Sequence, residues 1–495
     1  MIETLRAARV VTADAVHAPG WVRVDGGEIV GVGGGGDSGG CGGGGGDGFA
    51  ADAGGGVRDL GDAILVPGFI DIHAHGGGGG SYGAACLDQD PAVADAEASV
   101  RRACAAHLAH GTTTTLASLV TASPERLLAG VAALADLAER GEEGGSAIIR
   151  GIHLEGPWLS PVRAGAHAPG LLRHPDPREL DALLAAGRGR IRMVTIAPEL
   201  PGALDAIRRI VDAGAVAAIG HTDADYETTR RAIDAGARVA THLFNAMRPL
   251  HHREPGPTLA LMEDPRVSVE LIADGVHLHP ALVDGVRDAV GPDRVLLVTD
   301  AMDAAGYADG DYRLGELDVE VRGGIARLAG SDTIAGSTAT MDAMFRAAAG
   351  AVGGAVAGGG SDAALDGAVP VGAVPTDAAP IDAALIAAVR QTSANQARVM
   401  GWTDVGGIAP GRRANLVVLD PSLRVREVLA ERPLPLPRSS PPGSCSVMTG
   451  ARHPDPSLLS NCGGERGMER GPGWGGTARD GDRRESDYLD VEINL

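Results

Sequence analysis

The chain contains no lysine: all 43 of its basic side chains are arginines. That absence excludes a P-loop lysine, a Schiff-base lysine and a carboxylated lysine bridging two metal ions. Positive charge is short overall. Against 64 acidic residues the net charge is −21, and a phosphate backbone needs a basic face, so nucleic acid is not an expected partner. Cysteine is scarce. Cys41, Cys86, Cys104, Cys445 and Cys462 are scattered, with no CxxC pair, the pattern of a reducing cytoplasm. Residues 1–11 lack the apolar core of a signal segment, and no run of about 20 apolar residues offers a membrane span. A cytoplasmic protein without a membrane partner is expected. Aromatics make up only 3%, so the core must be built of Ala, Val, Leu and Ile.

Glycine is abundant instead, at 75 residues, about twice ordinary usage. Hydrophobic residues reach 44%, enough for a large core. At roughly 100–200 residues per domain, the length allows two or three domains, or one large α/β barrel with additions.

Residues 1–32 read as short strands at 9–12, 21–24 and 28–32, the last two joined by the Asp25-Gly26-Gly27 turn. The glycine run at 33–56 has almost nothing to bury and reads as a flexible insertion. From Ile64 a rhythm begins. Apolar β-rich runs at 68–73, 113–119, 148–154, 191–197, 216–220, 238–243, 267–273 and 295–299 alternate with Ala/Leu/Arg helical stretches. Such alternation argues for a parallel sheet, and eight repeats argue for a (β/α)8 TIM barrel. Residues 351–380 read as an Ala/Gly insertion, 381–400 as helix, and 408–420 and 423–429 as strands. Residues 432–495, rich in Pro, Gly, Ser, Arg and Asp, read as a disordered tail. The expected architecture is an α/β barrel over 62–405, with a small β-sandwich domain formed by 1–61 and 406–431.

The ends of the runs carry the chemistry. They close with Asp71-Ile72-His73-Ala74-His75, His153-Leu154-Glu155, Gly220-His221, Thr241-His242, Asp274-Gly275-Val276-His277 and Thr299-Asp300. Active sites of this fold lie at the C-terminal face of the strands, so these side chains are expected at one mouth. His73 and His75, at i and i+2, share a strand face. Imidazole and carboxylate donors suit zinc or iron(II). Glu155, His221 and His242 give three ligands plus an open position for water; His73 and His75 offer a second ion, with Glu155 bridging. Asp300, beside such a water, is placed as general base and then acid. Asp71 and His153 are expected to orient ligands from behind, and His251 and His252 to be loop residues.

At this point the chain resembles the N-acetylglucosamine-6-phosphate deacetylases of the amidohydrolase superfamily. The matching stretches are VPGFIDIHAHG (66–76), HLEGPWLSP (153–161), GAHAPG (165–170), IGHTDADY (219–226), THLFNAMRPLHHREPG (241–256), ADGVHLHP (273–280), LVTDAM (297–302), IAGSTATM (334–341) and GGIAPGRRANLVVLD (406–420). The resemblance implies removal of acetate from a phosphorylated amino sugar by one or two divalent cations per chain. It implies principal metal ligands at Glu155, His221 and His242, an acid/base at Asp300, and a carbonyl-polarising contact at His167, next to Ala166. Sugar-phosphate contacts fall at Asn245, Ala246, Arg253 and His277, with Arg253 acting across a homodimer interface. Ile334, Ala335, Gly336 and Ser337 match a loop that closes over substrate. A galactosamine substrate, another amidohydrolase activity and a non-catalytic scaffold are the alternatives.

Overall fold

The computed structural model describes residues 2–35, 56–87, 96–143, 148–350 and 378–430. The expected tail at 432–495 and almost all of the expected insertions at 33–56 and 351–380 lie outside these residues. Where the insertions are described, Gly33 and Gly34 end one strand, Gly56 opens another, and Ala378 begins a helix.

Eight parallel strands form one sheet in strict sequence order. They are β1 (Phe69–Ala74), β2 (Thr112–Val120), β3 (Ile149–Glu155), β4 (Ile191–Ile196), β5 (Val216–Ile219), β6 (Val239–Ala240), β7 (Ser268–Leu271) and β8 (Val295–Leu297). All eight expected runs hold a strand. Helices follow them in turn: α1 (Ala96–Ala109), α2 (Pro124–Glu143), α3 (Pro177–Gly187), α4 (Ala203–Asp212), α5 (Tyr226–Ala235), α6 (Gly256–Glu263), α7 (Pro280–Val290) and α8 (Met341–Ala348). The sequence explains the alternation. β2, TTTTLASLV, is buried at every position, as a strand covered on both faces requires. In α4 the buried Ala203, Ala206, Ile207 and Ile210 fall on one helical stripe. Asp176 and Asp225 cap α3 and α5 by accepting from the Arg178 and Thr228 amides.

The seam between first and last strands is drawn together at the rim. The Asp300 amide donates to the His73 carbonyl at 2.8 Å, and the His75 amide to that of Ala301 at 2.7 Å. The Asp71 carboxylate accepts from the Thr299 hydroxyl at 2.5 Å and from the Thr299 and His73 amides at 3.3 and 3.2 Å. Asp71 therefore pins the seam on which His73 and Asp300 sit, rather than touching an imidazole.

Among the sheets outside the barrel, two share a core. One orders Glu28–Gly34, Gly20–Asp25, Ile2–Ala7 and Gly56–Asp59; the other orders Val425–Leu429, Leu416–Leu419, Ile64–Pro67, Arg9–Val11 and Val16–His17. Leu5, Val10, Val22, Ile29, Leu65, Leu416 and Val418 share one core between them. Ile64–Pro67, expected at the start of the barrel, instead pairs with Leu416–Leu419. Gly68 makes the break: a Cβ there would stand 2.2 Å from the Thr113 hydroxyl.

A three-stranded antiparallel sheet, Gly310–Leu314, Leu317–Arg322 and Ile325–Leu328, follows β8 and was not anticipated. Its turns use positive φ at Gly315, Gly323 and Gly324. Leu314, Val319, Val321 and Ala326 pack on Val120, Met302 and Ala335.

Candidate active site

The strand ends bring six side chains together, all less than a tenth exposed. Glu155, at the end of β3, is the hub. Its Oε1 lies 3.1 Å from His221 Nε2 and 2.9 Å from His242 Nε2, and those nitrogens are 3.1 Å apart. Its Oε2 lies 3.1 Å from His75 Nε2 and 3.5 Å from His73 Nε2. Asp300 Oδ1 is 3.1 Å from His75 Nε2 and 3.4 Å from His73 Nε2, and the two nitrogens are 3.3 Å apart. The two oxygens of one carboxylate thus face two separate nests of donors.

Each nest suits a cation. Ligands about 2.0–2.1 Å from a tetrahedral zinc ion stand roughly 3.3–3.4 Å apart, close to the spacings above. The tautomers agree. His221 Nδ1 lies 2.9 Å from the Arg163 carbonyl, and His73 Nδ1 lies 3.1 Å from Glu270. Both partners only accept, so Nδ1 carries the proton and the Nε2 lone pair faces the cluster. Lone pairs and carboxylate oxygens converging at about 3 Å repel unless positive charge lies among them. The local field shows the same demand. Burial works against a charged His75, yet the Asp300 and Glu155 carboxylates raise its pKa to about 9. His73 is raised despite burial by Glu155, Asp300 and Glu270. Burial would raise the carboxyls of Glu155 and Asp300, but the imidazoles hold both below their ordinary range.

The backbone is unusual where these residues stand. His221, His242 and Asp300 have φ of +47°, +26° and +49°, a region that costs a non-glycine residue about 1–3 kcal/mol. Phe244 and Ala246 share it, at +78° and +49°.

The cluster floors a cavity of about 390 Å³. Its walls include Ala166, His167, Asn245, Ala246, His277, Leu314, Ile334 and Gly336. His167 Nδ1 is approached by the Thr121 hydroxyl at 3.0 Å and its amide at 3.4 Å. The amide only donates, so Nε2 keeps the proton, 3.5 Å from Glu155 Oε2. Burial lowers the His167 pKa to about 4, leaving a neutral ring with one donor on the cavity side. His277 is the reverse. Its Nδ1 lies 2.8 Å from Asp274, whose charge raises its pKa against the effect of burial.

Other expected residues stand elsewhere. Ala335 and Ser337, expected in the closing loop, do not line the cavity. Ala335 is wholly buried, and its amide donates to the Ala326 carbonyl at 3.1 Å. The Ser337 hydroxyl donates to the Thr299 carbonyl at 2.5 Å and its amide to that of Asp300 at 2.7 Å. The Ala335 amide thus ties the loop to the strand Ile325–Leu328, and Ser337 ties it to the segment that follows β8. Arg253 is exposed beside His252, at 2.7 Å, away from the walls. His153 spans Ser118 and Thr195 at 3.0 and 2.8 Å, beneath the His73 ring. The sequence reading missed Glu270. Its signal was a single carboxylate inside the apolar run 267–273.

Fold and site define a class: a (β/α)8 barrel with a His/Glu/Asp cluster that could hold a metal ion at its C-terminal rim. The chain belongs to the amidohydrolase family, whose model matches residues 64–439, and it is a hydrolase. Its relatives narrow the comparison. It is 48% identical to N-acetyl-D-glucosamine-6-phosphate deacetylase from Mycobacterium smegmatis, with a TM-score of 0.72 over 87% of this chain and 98% of that one. The same Mycobacterium smegmatis enzyme has also been solved as an aspartate-to-alanine variant in complex with N-acetyl-D-glucosamine-6-phosphate. Over 74% of this chain and 86% of the relative, it is 36% identical to N-acetylgalactosamine-6-phosphate deacetylase of Escherichia coli O157:H7. The N-acetylglucosamine-6-phosphate deacetylase of Vibrio furnissii is 39% identical over 57% of this chain.

Proposed function

We propose that this chain removes the acetyl group from N-acetyl-D-glucosamine 6-phosphate, yielding glucosamine 6-phosphate and acetate, in cytoplasmic amino-sugar recycling. The observation that carries the reading is the double nest around Glu155, floored against a neutral His167 donor and a positively biased His277. Zinc or iron(II) held by Glu155, His221 and His242, with a second ion at His73, His75, Asp300 and the other Glu155 oxygen, would supply Lewis acidity and lower the pKa of water there.

The chain's own groups do the rest. The acetamide carbonyl lies toward His167, whose Nε2–H donates to the oxygen as negative charge gathers on it. Asp300, held as a carboxylate, takes the proton from the attacking water. It returns that proton to the amide nitrogen as the C–N bond breaks. At the far end the phosphate meets His277, which Asp274 biases toward its charged form, with Asn245 and Ala246 alongside. Arg253 of the partner subunit supplies the guanidinium fork a phosphate favours, which accounts for an exposed Arg253 that does not line its own cavity. The described Cys86 and Cys104 are free, in keeping with the cytoplasm.

A second reading, N-acetylgalactosamine 6-phosphate as substrate, is favoured by the match to 86% of the Escherichia coli O157:H7 enzyme. Acetate release from both phosphosugars decides. The glucosamine compound is expected to turn over with the higher kcat/KM. Preference for the other would invert the assignment, and turnover of neither would sink both.

A further inference from the structure

Glu270 lies within β7 and is fully buried. A carboxylate in such a place is costly unless something positive answers it. Among the described residues its ion-pair partner is His73. Glu270 Oε2 is 3.1 Å from His73 Nδ1, and at 3.2 Å it accepts the backbone N–H of His242. Its Oε1 is buried without a hydrogen-bond partner. One acidic side chain therefore serves both nests. It sets the ring of a donor in the His73/His75/Asp300 nest and holds the backbone of a donor in the other.

His75 and His242 offer a contrast. Their Nδ1 atoms are buried with no hydrogen-bond partner, so nothing fixes their tautomers from behind. His73 is the imidazole of its nest that is so fixed, and the group fixing it adds negative charge. A carboxylate behind an imidazole raises its basicity toward a cation and locks its orientation.

We propose that Glu270 is a positioning residue that fixes the His73 tautomer and gives the His73/His75/Asp300 nest its affinity for a second divalent cation. The role rests on the two-ion reading given under the proposed function. For a Gln replacement it predicts an effect confined to one ion, because Glu270 meets the other nest through the His242 backbone N–H, which a glutamine oxygen still accepts, and the Glu155/His221/His242 side-chain donors are untouched.

The test is a zinc titration of chelator-stripped wild type and Glu270→Gln, with stoichiometry by elemental analysis and affinities by competition with a chromophoric chelator. Wild type is expected to take two ions per chain. E270Q is expected to take the first with unchanged affinity and the second about 10- to 100-fold more weakly. If wild type takes two and E270Q binds both equally well, or loses both alike, the role of Glu270 is wrong while the two-ion reading stands. If wild type takes only one, the two-ion reading fails and this role with it. Should E270Q not fold, the ¹⁵N shifts of the zinc-loaded wild type decide: a proton on His73 Nδ1 supports the proposal, and one on Nε2 overturns it.

Discussion

The floor of the cavity and its walls are built differently. The floor comes from strand ends: Glu155, His221, His242, His73, His75 and Asp300 are buried, and their donor atoms interlock at 2.9–3.5 Å. The walls come mostly from loops. Ile334 and Gly336 face the cavity while Ala335 and Ser337, alternating with them, are turned into the protein. Arg253 belongs to no wall of its own chain. Closure of the barrel fixes the chemistry of the floor, whereas on the proposed reading recognition rests on loop orientation and on a second copy of the chain. Damage to the floor should therefore strike turnover, and damage to the walls should strike affinity.

The sharpest way to break this contrast is Asp300→Asn. The amide keeps the shape but cannot take up a proton. The variant should fold and show kcat lowered by about 10²–10⁴-fold, the range of general acid–base catalysis, with KM for the phosphosugar little changed. Steady-state kinetics and a thermal melt of the same preparation check it. A wild-type kcat would remove Asp300 from the proton transfers.

On the wall side, Arg253→Ala should raise KM for the phosphorylated sugar by about 10- to 100-fold, from the roughly 1.5–3 kcal/mol of a charge-assisted hydrogen bond, with kcat nearly intact. Mixing this variant with D300N probes the partner role directly. Hybrid dimers would carry one pocket with an intact Asp300 and the wild-type Arg253 of the partner subunit, so activity should rise above the sum of the separate proteins. No gain on mixing would place Arg253 outside the partner's pocket.

How legible each region was in the sequence follows the same division. Parallel strands covered on both faces read as continuous apolar runs, so a polar residue ending such a run stands out, and His221, His242 and Asp300 did. Glu270 was hidden for the converse reason. It interrupts a run instead of ending it, and burial patterns carry no sign of what lies behind an imidazole. The left-handed backbone at three floor residues leaves no mark, since none of them is glycine. The sheet at 310–328 was legible in its alternation, as in Leu317–Arg322, but sits where the barrel rhythm calls for the last helix. For Ala335 and Ser337, resemblance located a loop without saying which of its residues point inward.

The smallest effect concerns what backs the floor. His107 is buried on α1, and its Nε2–H donates to the carbonyl of Gly76 at 2.8 Å, next to His75 in the chain. Burial lowers its pKa from 6.5 to about 4. The folded ring therefore stays neutral where the unfolded ring takes a proton. Its contribution is complete above the unfolded value and is lost as pH falls from about 6.5 toward 4. His107→Gln keeps a donor and cannot titrate, so it should be less stable than wild type near pH 7.5. Its deficit should narrow by about 1 kcal/mol at pH 5.5, the linkage expected from that pKa difference. Urea unfolding of metal-free wild type and variant at the two pH values measures it. A deficit that stays constant would mean that the ring titrates normally, and that the backing of the floor is looser than its burial implies.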